Sequence, residues 1–125
     1  METGLLRDQR ILIAEDEPII ALDLASAIEE ALGEVAGPVA SIEEGLAILA
    51  AKEVHAAILD VQLANEEITP LAFTLLGGRK VVVFHTATVV PAAILERHGE
   101  VNVCRKPAHS GEVVRRLAEA IARAR

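Results

Sequence analysis

Aromatic and sulfur-containing side chains are scarce in this chain of 125 residues, which has no tryptophan, no tyrosine, two phenylalanines and one cysteine. The single cysteine, Cys104, excludes an intrachain disulfide, and its position after an apolar run favours a small buried thiol. Long apolar runs are also missing: none approaches the ~20 residues that a membrane-spanning helix needs, and we find no signal peptide. We therefore expect a cytoplasmic protein that has no contact with membranes.

Positive charge is in short supply, because 12 Lys and Arg residues face 19 Asp and Glu residues and the formal net charge is -7. Nucleic-acid-binding modules usually carry a basic balance or a basic stripe, so we predict no nucleic-acid partner. Both common phosphate-binding motifs are absent as well, the G-x-x-x-x-G-K loop and a G-x-G-x-x-G turn after the first strand. Their absence argues against a nucleotide-binding domain or an unrelated flavodoxin-like enzyme, although tight binding of a nucleotide or a flavin would revive that alternative.

The chain is rich in aliphatic side chains, and hydrophobic residues make up 52% of it. Short runs of β-forming residues alternate with stretches of helical spacing, and these runs are Ile11–Ala14, Val35–Ala36, Ala56–Leu59, Val81–Phe84 and Val101–Cys104. Strands that alternate with helices indicate a parallel α/β sheet, because each return to a parallel neighbour needs a crossover. We predict a single domain over residues 1–125, in which residues 1–8 form a loosely ordered lead.

Residues that favour caps and turns mark the helix boundaries. Ser41 and Glu44 form an S-x-x-E capping box at the start of the second helix, and Ser110 suits the cap of the last one. Pro91 can open the fourth helix, and Gly99 can end it. These capping and helix-ending residues support a helix after each predicted strand.

Polar side chains follow four of the predicted strands at the point where each strand ends. These residues are Glu15, Asp16 and Glu17 after the first strand, Asp60 after the third, His85 and Thr86 after the fourth, and Arg105 and Lys106 after the fifth. The carboxyl ends of parallel strands share one edge of the sheet, and ligands bind in the crevice there. We therefore expect these groups to form one site.

The chemistry of this group of side chains is coherent. Glu15, Asp16 and Asp60 would repel one another strongly, and a divalent cation removes the conflict. Hard oxygen ligands favour Mg2+, and no His or Cys spacing supports zinc. With the Lys106 ammonium and the Thr86 hydroxyl beside them, the acids can hold a phosphoryl group. Asp60 is the candidate nucleophile, because it stands alone on its strand.

The sequence resembles the receiver domain of two-component response regulators over nearly its whole length. The segments that carry the resemblance are Ile11–Pro18, Ile58–Leu63, Thr86-Ala87 and Lys106-Pro107, in the order and at the separations usual for that family. The resemblance implies a flavodoxin-like doubly wound (βα)5 fold, with a five-stranded parallel sheet of order 2-1-3-4-5 and helices on both faces. Within that family the sequence resembles most the stand-alone, single-domain type, so we expect another chain to carry the output signal.

The resemblance also implies a role for each matching residue. Asp60 corresponds to the phosphoacceptor, Lys106 to the lysine that pairs with phosphoryl oxygens, and Thr86 to the switch hydroxyl. The implied Mg2+ ligands are Asp16, Glu15 (mainly through water), Asp60 and the backbone carbonyl of Gln62. The family often has a cis bond at the position of Lys106–Pro107, and we predict one here. His85 is interpreted as a strand-end residue of the switch loop without a role of its own.

The partners implied by the resemblance are proteins. A histidine kinase or a phosphotransfer protein would donate the phosphoryl group, and a downstream protein would read the conformational switch. We expect a monomer or a phosphorylation-dependent homodimer. A receiver is not an enzyme in the ordinary sense, although it takes part in its own Mg2+-dependent phosphorylation and dephosphorylation.

The sequence departs from the family pattern at positions that concern the switch. Receivers often have an aromatic residue three positions before the lysine, where this chain has Val103, and Phe after Lys-Pro, where it has Ala108. The usual coupling between the switch threonine and that aromatic residue is therefore absent or altered. This supports an alternative, a degenerate receiver that acts as a phosphorylation-independent protein-interaction module.

Overall fold

The computed structural model describes residues 4–124, and within this range seven strands and five helices follow one another along the chain. The strands are β1 (Arg10–Ala14), β2 (Glu34–Val39), β3 (Ala56–Leu59), β4 (Gln62–Leu63), β5 (Glu66–Glu67), β6 (Val81–Thr86) and β7 (Asn102–Arg105). The helices are α1 (Pro18–Glu30), α2 (Ile42–Ala51), α3 (Thr69–Gly77), α4 (Ala92–His98) and α5 (Ser110–Ala124). Over the described residues, no helix combines the length and the apolar character that crossing a membrane requires.

Five strands form one parallel sheet in the order β2-β1-β3-β6-β7. Counted among the strands of this sheet alone, β6 and β7 are the fourth and the fifth, so the predicted order 2-1-3-4-5 is confirmed. The order reverses direction between β1 and β3, because the chain first adds β2 on one side of β1 and then β3 on the other. Ligand crevices of open α/β sheets lie at such a point.

Two hydrophobic cores cover the two faces of the sheet. Residues alternate between the faces: Leu12 of β1 packs in the core under α2, α3 and α4, and its neighbour Ile13 packs in the core under α1 and α5. The strands β1 and β3 are buried on both faces from Ile11 to Ala14 and from Ala56 to Leu59. Such two-sided burial explains why these strands appear in the sequence as unbroken apolar runs.

Several boundaries differ from the predictions. Strand β2 is longer than the predicted Val35–Ala36, β7 is shifted by one residue to Asn102–Arg105, and the short antiparallel pair β4–β5 was not predicted. Two-residue strands have no hydrophobic period, so the sequence pattern could not reveal them.

The capping predictions for α2 and α5 have different outcomes. The Ser41 cap of α2 is confirmed, because the Glu44 backbone N–H donates to Ser41 Oγ at 3.1 Å, but the Glu44 carboxylate accepts from the Ala40 N–H at 3.0 Å rather than from the Ser41 N–H of a full capping box. The predicted cap at Ser110 is wrong by one residue, since His109 holds this position and its Nδ1 accepts from the Gly111 N–H at 3.0 Å. Imidazole nitrogen therefore takes the place of the hydroxyl oxygen that the sequence suggested.

The predicted loosely ordered lead contains a side chain that is packed in the core. Residues 1–3 lie outside the described residues, but Leu6 is fully buried under α1 and α5, and its N–H donates to the Ala31 carbonyl at 3.0 Å. The preceding residue, Leu5, is 42% exposed. Leu6 thus anchors the segment of the chain that precedes β1.

Replacing Leu6 with Ala should lower the free energy of unfolding by about 3 kcal/mol, because it removes buried methyl groups and leaves a cavity. Urea denaturation of Leu6→Ala and of the matched variant Leu5→Ala measures the effect. We expect Leu5→Ala to change the unfolding free energy by less than about 1 kcal/mol, since its side chain is partly solvated already. Equal, small effects of the two substitutions would show that the lead is not anchored.

Candidate phosphoacceptor and metal site

Three carboxylates converge at the carboxyl edge of the sheet. Glu15 and Asp16 follow β1 directly, and Asp60 follows β3, the neighbour of β1. Each of these side chains offers a carboxylate oxygen that lies within 4.8 Å of an oxygen of the other two. Backbone hydrogen bonds fix the strand ends, since Asp60 N donates to the Ala14 carbonyl at 2.9 Å and Glu15 N donates to the Val39 carbonyl at 3.0 Å.

The three acids differ in how far they are exposed to solvent. Glu15 is 3% exposed and Asp60 is 7% exposed, whereas Asp16 is exposed. A backbone N–H holds each of them: Glu17 N donates to Glu15, Ala64 N to Asp16 and Gln62 N to Asp60. Asp16 is therefore the member of the group that is open to solvent.

Lys106, which follows β7, places its ammonium among three carboxylates. Its Nζ lies 2.9 Å from Asp60 Oδ2, 2.9 Å from Glu15 Oε1 and 3.1 Å from Glu17 Oε2. The contact with Glu15 is an ion pair without the angles of a hydrogen bond, whereas Asp60 and Glu17 accept hydrogen bonds from Nζ. The Lys106–Pro107 peptide bond is cis, which confirms the prediction from the sequence.

Burial and charge act against each other on the pKa values of the site. Burial raises the pKa of Glu15 above its ordinary value, although Lys106 and the Glu17 N–H partly offset this effect. Burial alone would lower the pKa of Lys106, but its contacts with Asp60, Glu15 and Glu17 outweigh that effect and raise the pKa. The lysine therefore stays charged at neutral pH, and it is the cation that makes the buried acids tolerable.

The remaining predicted site residues lie around this centre. Thr86 ends β6 and is 1% exposed, and its Oγ1 accepts from the Thr88 N–H at 3.1 Å and lies 3.1 Å from Thr88 Oγ1. Its backbone carbonyl accepts from Lys106 N at 3.0 Å, which joins the two loops. Gln62 is exposed, and its N–H contact with Asp60 places its backbone, rather than its side chain, beside the acids.

The structure gives contacts to residues for which the sequence analysis assigned no individual role. Glu17 is 63% exposed at its side chain but reaches Lys106, and its place directly after the acidic pair was the available signal. The backbone N–H of Ala64, which holds Asp16, gave no signal because any residue type can donate it. His85 is only 4% exposed, and burial together with the nearby Lys106 ammonium lowers its pKa.

The donors present fit a hard divalent cation. Carboxylate oxygens from two adjacent strands converge within 4.8 Å, and the described residues bring no Cys or His into this group. Glu15 Oε1 is buried, and its only polar contact among the described residues is with the Lys106 ammonium, at 2.9 Å, without the angles of a hydrogen bond. Such an all-oxygen set is the kind that binds Mg2+ and other hard cations in proteins.

No protein-family model and no curated protein matches this sequence. Solved structures do match. The response regulator PhyR from Brucella abortus is 24% identical with a TM-score of 0.78, over 94% of this chain and 50% of that chain. The CheY-like response regulator receiver domain protein from Methanospirillum hungatei JF-1 is 22% identical with a TM-score of 0.79, over 93% of this chain and 95% of that chain.

A PhyR structure from Bartonella quintana, an anti-anti-sigma factor, is 25% identical with a TM-score of 0.76, over 90% of this chain and 48% of that chain. The chain thus spans about half the length of the two PhyR chains that it matches. It has the fold of response-regulator receiver domains, as the sequence motifs predicted.

Replacing Lys106 with Met should destabilise the protein by about 3 kcal/mol near neutral pH, because it leaves Glu15 and Asp60 buried without their cation. The penalty should shrink as the pH falls below neutral, since Lys106 partly offsets the rise in the pKa of Glu15 and its loss raises that pKa further, so protonation favours folding of the variant more than folding of the unmodified protein. Urea denaturation in the presence of a chelator, at several pH values, measures both effects.

The matched control is Lys52→Met, which removes an exposed lysine at the end of α2. Its unfolding free energy should stay within about 0.5 kcal/mol of the unmodified protein at every pH. A Lys106→Met penalty that does not vary with pH would contradict the ion-pair account.

Proposed function

We propose that the chain is a response-regulator receiver in which Asp60 accepts a phosphoryl group from a histidine kinase or a phosphotransfer protein. The observation that carries the proposal is the environment of Asp60: its Oδ2 lies 2.9 Å from the Lys106 ammonium, and two further carboxylates lie within 4.8 Å. A carboxylate oxygen of Asp60 attacks phosphorus, a P–O bond forms, and the donor leaves with the electron pair of its broken bond to phosphorus.

Mg2+ is the cofactor that this proposal requires. Asp16, Glu15, Asp60 and the backbone carbonyl of Gln62 would hold it, and when bound it neutralises negative charge on the phosphoryl oxygens. Lys106 would neutralise charge on the same phosphoryl group, because its Nζ already contacts the acceptor carboxylate. Three acids beside a dianionic group would otherwise oppose the transfer.

The output is a rearrangement of the loop after β6. The Thr86 hydroxyl pairs with Thr88, and it can turn toward a phosphoryl oxygen on Asp60 by giving up that local contact. The Lys106 N–H to Thr86 carbonyl bond links this movement to the loop after β7. A downstream protein partner would read the surface formed by these loops, and the chain would act by this binding change rather than as an enzyme.

A degenerate receiver is the second candidate, and Val103 is the observation that favours it. Val103 lies in β7 next to Phe84 of β6, where receivers often have the aromatic side chain that moves with the threonine. Without that side chain, phosphorylation of Asp60 need not change the partner surface. Under this candidate the fold binds its partner whether or not Asp60 is modified.

Incubation with Mg2+ and acetyl phosphate should add one phosphoryl group to the protein, as measured by intact mass. The addition should need the metal and vanish in Asp60→Asn, because the amide is a poor nucleophile. The matched variant Asp8→Asn removes an exposed aspartate outside the site and should be phosphorylated like the unmodified protein. No adduct, and no binding of the phosphoryl mimic beryllofluoride, would leave the degenerate receiver as the better account.

Mg2+ should bind to the acidic group, and Asp16→Asn should weaken the binding by at least about 10-fold because it removes a charged oxygen ligand. Titration followed by NMR amide shifts of residues near Asp60 and Ala64 measures the affinity. The control Glu29→Gln, an exposed acid at the far end of α1, should bind Mg2+ like the unmodified protein. Equal losses of Mg2+ affinity in Asp16→Asn and Glu29→Gln would show that diffuse surface charge, rather than a defined site, attracts the metal.

A further inference from the structure

A short hairpin between β3 and α3 reaches the acidic group. Its strands β4 and β5 pair antiparallel, and Ala64 and Asn65 form the two-residue turn between them. Both turn residues have a positive φ, 49° and 68°, which is the sign that a type I′ turn requires. The turn directs the Ala64 N–H at Asp16 Oδ2, to which it donates at 3.0 Å. Among the described residues, this N–H is the hydrogen-bond donor that orients the exposed Asp16 carboxylate.

A second contact joins the hairpin to α2. Glu66, in β5, accepts a hydrogen bond at its Oε1 from the backbone N–H of Ile42 at 3.1 Å, across 24 positions of the chain. Ile42 is the first residue of α2, where the N–H groups have no partner inside the helix and the helix dipole favours an anion. The Glu66 carboxylate therefore has a defined partner, although its residue is exposed.

The core holds only the base of the hairpin. Leu63 and Ile68 are fully buried, but the turn and Glu66 are exposed. The left-handed backbone of Ala64 is unfavourable for alanine, because its Cβ approaches the following carbonyl oxygen. The contacts with Asp16 and with α2 are therefore the ones that hold the outer half of the hairpin in place.

We propose that Glu66 is a positioning residue for the metal site. By tying the hairpin to α2, it keeps the Ala64 N–H on Asp16 and so keeps that carboxylate oriented for Mg2+. Glu66 is not among the acids that converge within 4.8 Å, so it acts through the hairpin rather than as a ligand. Groups that orient a metal ligand by hydrogen bonding affect metal affinity without touching the metal. The inference rests on the proposed function, because it assigns Glu66 to the Mg2+ site of that function.

Three variants separate positioning from charge. Glu66→Ala removes both the acceptor for the Ile42 N–H and a negative charge, whereas Glu66→Gln removes the charge and keeps an acceptor oxygen. Glu67→Ala is the matched control, because it removes the neighbouring exposed acid, whose carboxylate accepts from Thr69 Oγ1 instead of from α2. Urea denaturation shows that each variant is folded.

Hydrogen exchange of the Ala64 amide, measured by NMR with a chelator present, tests the link between Glu66 and the turn without any metal. The amide should exchange at least about 5-fold faster in Glu66→Ala, because the turn then leaves Asp16 more often. In Glu66→Gln and Glu67→Ala the rate should stay within about 2-fold of that in the unmodified protein. Unchanged exchange in Glu66→Ala would overturn the proposal.

Mg2+ titration followed by amide shifts tests the consequence for the metal. Glu66→Ala should bind Mg2+ about 3- to 10-fold more weakly, and Glu66→Gln and Glu67→Ala should stay within about 2-fold of the unmodified protein. Normal affinity in Glu66→Ala, or an equal loss in Glu66→Gln, overturns the inference and leaves the proposed function intact. An unmodified protein that binds no Mg2+ would overturn the metal requirement of the proposed function, and this inference with it.

Discussion

The site depends on one ammonium group held among several carboxylates. Lys106 reaches Glu15, Glu17 and Asp60 within 3.1 Å, and these contacts keep its pKa high and allow Glu15 and Asp60 to be buried. The site still carries more negative than positive charge, because Asp16 adds a further carboxylate. That excess of negative charge is the physical reason why a divalent cation fits here.

The sheet supplies the precision that such a group of charges requires. Strands β1 and β3 are adjacent, parallel and buried on both faces, so their ends cannot move independently. Asp60 N donates to the Ala14 carbonyl, and this bond sets the separation of the acids on the two strands. Two apolar cores thus hold a polar edge rigidly, as preorganised electrostatic stabilisation demands.

Small side chains distinguish the surroundings of this site. Val103 takes the place where receivers often have an aromatic residue, which leaves Thr86 coupled to its neighbours through the backbone and through Thr88. Ala108 is likewise small at a position where receivers often have phenylalanine.

The sequence by itself determined the alternation of strands and helices, the strand order through its motifs, and the set Glu15, Asp16, Asp60, Thr86 and Lys106. It could do so because two-sided burial produces unbroken apolar runs, and because parallel strands bring their carboxyl ends to one edge. Only the tertiary structure decided that Leu6 anchors the lead, that His109 caps α5, that Glu17 joins Lys106, and that His85 is buried without partners. These features arise from contacts between distant segments, and no local period or spacing in a single sequence encodes which side chains will meet.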